Sequence, residues 1–331
     1  MSRIVVTGAG GFLGQALVAA AREAGHAVTA LSRGEGPPAW AEDAGIAAHR
    51  ADLAAGSDLK ESFAGADAVI HAAAGRGDDA AHARDTRAAT EAVVAAMPPG
   101  ARLVLVSSFS VYAAAGLPDW ATLDETSPTE PDGAVRDAYA RAKIAQEKIA
   151  VAAAQTAGLD LWILRVGTLY GPGHLWTARL GWEKGGRVVS PGGDAPVPAI
   201  HVNHAAADLV AAATAEERGW PEDLPVLEGA GHVRIVNLVD PDPPTQGQWL
   251  AAIGRGRVVK IPRRPLMKAA GMLDLAGSLV PGLEARLPTG LGEAVLAARF
   301  KPLRYSTARA EDRLGPRPMA PFAGLIHAAR Q

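Results

Sequence analysis

The chain has 331 residues, 48% of them hydrophobic, a formal charge of −2 and no cysteine. Length and apolar content supply a core for one large domain with an elaboration, or for two domains, and exclude global disorder. The near-neutral charge excludes a general electrostatic grip on nucleic acid or an anionic membrane; the missing thiols exclude disulfides, thiolate catalysis and thiolate metal centres, and fit a reducing, cytoplasmic setting.

In chain order, "RIVVTG" (3–8) reads as a strand and "FLGQALVAAAREAG" (12–25) as a helix closed by Gly25. The first strand begins within three residues of Met1, so no secretory leader is expected. "HAVTALSR" (26–33) is the next strand, "DLKESFAG" (58–65) a short helix and "ADAVIHAAA" (66–74) a third strand. A helix over 85–97 is stopped by Pro98 and Pro99, and "ARLVLVSSFSVY" (101–112) is a strand with a polar C-terminal end. The longest helical pattern covers 136–158, and the strand "LDLWILRVG" (159–167) follows. Glycine- and proline-rich loops then give way to a helix over 201–219, a strand over 234–240 and helical pieces in the tail. The apolar stretch 266–282 is broken by Lys268, Gly271, Asp274 and Gly277, too short and polar to span a membrane, and reads as an amphipathic helix over a core or pocket.

Strands separated by helices of this length predict an α/β fold, a doubly wound parallel sheet with a smaller, discontinuous C-terminal substrate lobe. The expected division is 1–170 for the dinucleotide-binding part, with 201–240 returning to it, and 171–200 plus 241–331 for the substrate lobe. In such sheets ligands bind beyond the carboxyl ends of the strands, where "TGAGG", "SR", "HAAA", "SSFS" and "RVGTLYGPG" all fall.

Gly8, Gly11 and Gly14 stand in a G-x-x-G-x-x-G spacing between the first strand and the first helix. Glycines there allow a tight turn and close backbone approach, and the helix N-terminus offers N–H groups to a pyrophosphate. Tyr139 and Lys143, in "YARAK", are four apart and so share one helix face. That pair alone is equally a solvated surface; its neighbours in the chain decide.

The opening, with Phe12 and Leu13 inside "TGAGGFLG", resembles the "TGxxGFLG" turn of the extended short-chain dehydrogenase/reductases, the NAD-dependent epimerase/dehydratase-like family. The resemblance extends over most of the chain. "ADL" (51–53) is similar to the family's adenine-contacting pair, here Asp52 and Leu53, and "VIHAAA" (69–74) to the strand whose small residues, Ala72 and Ala73, flank the cofactor. "LVLVSSFSVY" resembles the strand with the catalytic hydroxyl, "YARAK" the catalytic helix, "ILRVGTLYGPG", with Val166, the strand and loop along the nicotinamide, and "LGPRP" (314–318) a motif near the family's end. The resemblance implies a Rossmann-like fold and Tyr139 as general acid/base. It implies Lys143 as the cation that favours phenolate and binds the nicotinamide ribose, and Ser108 as the hydroxyl that donates to the same substrate oxygen. Ser107 and Ser110 are rivals to Ser108, and Ser110 would share its face if the strand continued. It also implies a homodimer.

At the end of the second strand NAD sites place an acid for the ribose 2′-OH and NADP sites a base. This chain has Ser32 and Arg33, so NADP is expected over NAD, with Glu35 close by. Departures from the family pattern are Thr86 where Asn is frequent, Val166 where Pro follows Arg, and "VNH" (202–204) in place of "VDD". No metal is expected: His201 and His204 lack a third ligand, "SSFS" is not a serine-hydrolase elbow, and "PRRPLMK" (262–268) is a solvated turn. The expected function is an NADP-dependent oxidoreductase acting on a small carbonyl or alcohol. The alternatives are a nucleotide-sugar epimerase or dehydratase with retained NAD(P), and a non-catalytic dinucleotide sensor, which would need none of the Ser–Tyr–Lys set. Arg179 and Arg187 would serve a sugar nucleotide's phosphates; Trp176 and Trp182 suit either an apolar pocket or core packing.

Overall fold

The computed structural model describes residues 1–55, 59–131, 136–216, 233–279, 290–316 and 320–330. Seven strands, β1 (Arg3–Thr7), β2 (Ala27–Ser32), β3 (Ile46–Arg50), β4 (Ala68–His71), β5 (Arg102–Ser108), β6 (Asp160–Val166) and β7 (Val233–Leu238), form one sheet in the order β7-β6-β5-β4-β1-β2-β3. Every pairing in it is parallel. The chain runs from β1 to one edge and then returns to β4, so the order reverses between β1 and β4, where a crevice opens at the carboxyl ends.

Side chains alternate across the sheet, as strand geometry requires. Ile4, Val6, Trp162 and Leu164 point to a core shared with the helices α1 (Phe12–Glu23) and, beyond β6, Val202–Thr214. Val5, Leu161 and Ile163 point to a second core under the helices α2 (Ala89–Ala96) and α3 (Ala138–Ala157). With both faces covered, the strands carry continuous apolar runs, which is why they were legible. The helix Val202–Thr214 is α4; in the lobe follow α5 (Gln246–Ile253), α6 (Arg263–Leu279), α7 (Glu293–Phe300) and α8 (Phe322–Ala328). No helix among the described residues is long and apolar enough to cross a membrane.

Several expectations shift. β3 was not anticipated: "IAAHR" is a largely exposed edge strand without apolar alternation. The helix read as 85–97 starts earlier, at Asp79–His82, and passes through a π turn at Ala83–Ala88 before α2; the Asp78 side chain caps it by accepting from the Ala81 N–H. The strand read to residue 112 ends at Ser108, whose side chain accepts from the Ser110 N–H and starts a 3-10 turn over Phe109–Val111. Ser110 therefore does not continue the face of Ser108. α3 starts at Ala138 because the Asp137 side chain caps it, accepting from the Ala140 N–H. Residues 217–219 of the expected helix, and Arg317 and Pro318 of "LGPRP", lie outside the described residues.

The lobe has its own small core, in which Tyr170, Trp249 and Phe322 pack with ring centroids 5.1–5.5 Å apart. Trp176 packs on that cluster, and Trp182 packs on Phe300 at 5.3 Å, so both serve the lobe's packing. In the sheet, Trp162 is 1% exposed, with the Arg102 and Arg234 guanidiniums 5.2 and 5.6 Å from its ring and both arginines paired to Asp160. Replacing this ring removes a large buried volume and the surface that both guanidiniums cover. Trp162→Ala is expected to lower unfolding stability by about 3–5 kcal/mol, read as a drop in denaturation midpoint with an unchanged m-value.

Candidate active site

The turn after β1 is shaped by two close approaches. Gly8 has φ +69°, and a Cβ there would stand 2.7 Å from the Ala73 nitrogen; at Gly14 a Cβ would stand 2.1 Å from the Gly8 carbonyl oxygen. Any side chain at either position would part β1, α1 and the end of β4. The Gly11 N–H donates to the Gly8 carbonyl at 3.0 Å, and Gly11 opens α1 with extended backbone and no side-chain cap. The first-turn N–H groups, at Phe12, Leu13 and Gly14, thus form an uncapped helix N-terminus facing the crevice edge, with no acidic residue in that turn. Ala72 and Ala73 close the crevice from β4. The Phe12 ring stacks on His174 at 3.7 Å, which joins the lobe's "YGPGH" loop to this turn; nothing in the sequence pattern signalled His174.

Leu53 is buried in the core beneath the sheet, while Asp52 stays exposed and accepts from the Ala54 N–H at 3.2 Å. Arg33, at the end of β2, is 61% exposed and bonds Asp85 at 3.0 Å, and Asp85 also takes Arg84 at 2.8 Å. Hydrogen bonding to Arg84, with Arg33 adding to it, holds the Asp85 carboxyl below the usual carboxylate range. Two guanidiniums thus share one carboxylate, and Asp52 and Asp78 also act on Arg84. Arg84 and Asp85 escaped the sequence reading because they lie some fifty positions from Arg33, at a separation of 52 residues for the Arg33–Asp85 pair.

Ser108 and Tyr139 come together at the carboxyl end of β5, and Lys143 reaches the Val106 carbonyl of the same strand. Tyr139 is 41% exposed, on the first turn of α3. Desolvation pushes its phenol above the ordinary range; hydrogen bonding to Ser108 and the Arg179 charge oppose that, and Asp137 adds to it. The cation acting on the phenol is thus Arg179, brought in by the lobe, while Lys143 is turned into the core. Lys143 is 3% exposed, and its Nζ donates to the Val106 carbonyl at 2.7 Å and to Gln146 Oε1 at 2.8 Å. Burial lowers its pKa to about 8, against the pull of Glu147. An ammonium has three N–H donors, so one is left for an incoming acceptor.

The rival hydroxyls are placed differently. Ser107 donates to Glu147 Oε1, and the same carboxylate takes Arg165 Nε at 3.0 Å and Nη2 at 2.8 Å, so Ser107 belongs to a structural cluster on the far side of β5. The Ser110 hydroxyl is buried with no partner among the described residues. Val166, 3% exposed, is the register partner of Ser108 on β6. Thr86, standing where the family frequently has Asn, accepts from the Gly75 N–H at 2.8 Å. His201 and His204 both converge on Asp240: the His201 N–H donates at 3.0 Å, and His204 Nδ1 lies at 2.9 Å. Among the described residues no group of side chains is disposed to hold a metal ion.

Arg179, whose charge acts on the Tyr139 phenol, has Arg136 and Arg299 as neighbours. Arg136 pairs with Glu130 at 2.6 Å and Arg299 with Asp137 at 3.2 Å; Arg179 bonds the Ala298 carbonyl, and no carboxylate pairs with it among the described residues. Desolvation and the charges of Arg136 and Arg299 lower the Arg179 pKa. Arg187 is exposed on a small three-stranded sheet instead.

The model of the "NAD dependent epimerase/dehydratase family" matches residues 4–223. The chain belongs to that family. Within it, the chain is 31% identical over 267 residues to a 3-diazoavenalumate denitrifying reductase of a Streptomyces species, covering 76% of this chain and 81% of that one. It is 34% identical over 177 residues to a 2-alkyl-3-oxoalkanoate reductase of Stenotrophomonas maltophilia (strain K279a), covering 52% of each. The fold superposes on a Bacillus cereus UDP-glucuronic acid 4-epimerase in complex with UDP-glucuronic acid and NAD with a TM-score of 0.69, at 15% identity, over 99% of this chain and 98% of that one. The chain is an enzyme of the extended short-chain dehydrogenase/reductase type.

The two adjacent serines of β5 are separable by experiment. Ser108→Ala is expected to lower turnover about 10²-fold or more with the melting temperature within a few degrees of the parent, and Ser107→Ala to lower the melting temperature while turnover stays within about threefold. Steady-state rates with thermal melts on both variants check this.

Proposed function

We propose that this enzyme transfers hydride between NADP(H) and a small carbonyl or alcohol substrate, with Tyr139 as general acid/base. The observation that carries the reading is the placement of Tyr139, on the first turn of α3, beside Ser108 at the carboxyl end of β5, with Lys143 one helical turn on. The residues present fit a dinucleotide: the close-packed glycine turn leaves room only for backbone, and the uncapped α1 N-terminus would receive the pyrophosphate. Asp52 and Leu53 would flank the adenine, Ala72, Ala73 and Val166 the nicotinamide side, and Arg33 with Ser32 the 2′-phosphate. When bound, the nicotinamide supplies or accepts the hydride.

In the reduction direction Tyr139 gives its phenolic proton to the substrate oxygen while Ser108 donates a hydrogen bond to the same atom. Both groups then stabilise negative charge as it forms on that oxygen. Lys143 directs its remaining N–H to the cofactor ribose, and Arg179 lowers the cost of phenolate through its charge. Arg179 also suits an anionic substrate group, since it lies in the cleft without a carboxylate of its own. The names of both related reductases describe carboxylates, and one of them a 3-oxo group as well, which supports a carbonyl substrate that also carries a carboxylate.

A nucleotide-sugar epimerase or dehydratase is the second reading, favoured by the same arginines, which suit a pyrophosphate equally. The nucleotide released on denaturing the freshly purified protein separates the two. An empty site that takes up NADPH reversibly supports the reductase; NAD at near-full occupancy supports the second reading.

Tyr139→Phe is expected to lower turnover by at least about 10²-fold while the NADPH dissociation constant changes less than about threefold; unchanged turnover would end this mechanism. Arg33→Asp is expected to reverse the NADPH-over-NADH preference in fluorescence titrations, because an acid there repels the 2′-phosphate and accepts from a 2′-OH.

A further inference from the structure

A chain of buried hydrogen bonds runs from the glycine turn to Lys143, and its donors and acceptors have one consistent assignment. The Lys143 ammonium only donates, so the Gln146 atom 2.8 Å away is its carbonyl oxygen. Gln146 Nε2 therefore faces Thr90 Oγ1 and donates to it at 3.0 Å. The Thr90 hydroxyl proton goes to the Thr86 carbonyl at 2.6 Å, which leaves Thr90 Oγ1 an acceptor towards His71 Nε2 at 3.1 Å. His71 thus carries its proton on Nε2, and its bare Nδ1 accepts from the Thr7 hydroxyl at 2.7 Å. Thr7, His71, Thr90 and Gln146 are 0% exposed and Lys143 is 3% exposed.

The path joins the elements that build the crevice. Thr7 is the residue before Gly8, His71 is its register partner on β4, and Lys143 comes from α3. Burial and the Lys143 charge drive the His71 pKa down to about 3, so the ring stays neutral and the assignment holds through the neutral range. The titratable groups facing Lys143 are Glu147 on its own helix, itself bound to Arg165 and Ser107, and the neutral His71 from β4. No carboxylate touches the ammonium among the described residues. A neutral amide can hold it in place without drawing it out of reach of a ligand, which a carboxylate at the same distance would do.

We propose that Gln146, anchored through Thr90 and His71 to Thr7, is the positioning residue for Lys143: it holds the ammonium at the edge of β5 with one N–H directed to the cofactor ribose, and ties that position to the nucleotide turn. This rests on the reading of Lys143 as the ribose-binding cation.

The test is NADPH titration of the full chain by fluorescence from pH 6 to 10. The parent should lose affinity as pH rises through about 8, as the buried ammonium loses its proton. Gln146→Met removes an acceptor for the charged form and should move that inflection down by about one pH unit; Gln146→Glu adds a negative charge and should move it up by at least as much. Thr90→Val, of the same shape, should move it in the direction of Gln146→Met by less and keeps the test available if a Gln146 variant does not fold. A merely structural network would lower melting temperatures without opposite shifts. Inflections that stay in place in the Gln146 and Thr90 variants, while Lys143→Met abolishes the inflection, overturn the proposal alone. A parent curve that Lys143→Met leaves unchanged overturns it together with the reading of Lys143.

Discussion

The approach of Gly8 to the backbone of Ala73 is the constraint from which the site follows. A Cβ at Gly8 would come 2.7 Å from the Ala73 nitrogen, so the two backbones pack there with no side chain between them. That contact sits where the strand order reverses, and it sets both the width of the crevice and the direction of α1. It also sets the register of Thr7 against His71, the first link of the buried path to Lys143. A side chain at Gly8 would therefore disturb the cofactor cradle and the lysine together.

The site separates its charges by how they are satisfied. Glu147 and Arg165 form a two-point ion pair beneath β5, joined by Ser107, and this is a buried pair with every charge answered. Lys143, one turn away on the same helix, is given only a carbonyl and an amide, and burial lowers its pKa to about 8. Arg179 is likewise left without a carboxylate while its neighbours Arg136 and Arg299 have one each. The cations left without a carboxylate are Lys143, buried against β5, and Arg179, near the phenol, and a bound dinucleotide and an anionic substrate would complete them.

Much of this was readable from local pattern. The glycine spacing, the helix carrying Tyr139 and Lys143, and the apolar strand runs depend on neighbours within one turn or one strand, and the local chemistry agrees with the structure. Ser108 against Ser107 and Ser110 was not readable, because the answer depends on where β5 stops and on a glutamate of α3. The largely exposed edge strand β3 carried no apolar alternation to read. Trp176 and Trp182 were ambiguous for the reason that an aromatic ring fills a pocket wall and a core equally well; the lobe packs both.

The sequence by itself determined the doubly wound fold, the glycine turn after β1 and the helix that places a tyrosine and a lysine one turn apart, since each is written in short-range periodicity and in residue types with restricted backbone choices. Tertiary structure alone decided what those side chains meet. Thr7 and His71 are 64 residues apart and Gln146 and Thr90 are 56 apart, and only the order of strands in the sheet makes them partners. The Arg179 charge acts on the phenol because Arg179 is held against Ala298 of α7, more than a hundred residues further along the chain. Hydrogen-bond partners and electric fields act through space, so no local pattern encodes them until the chain has closed on itself.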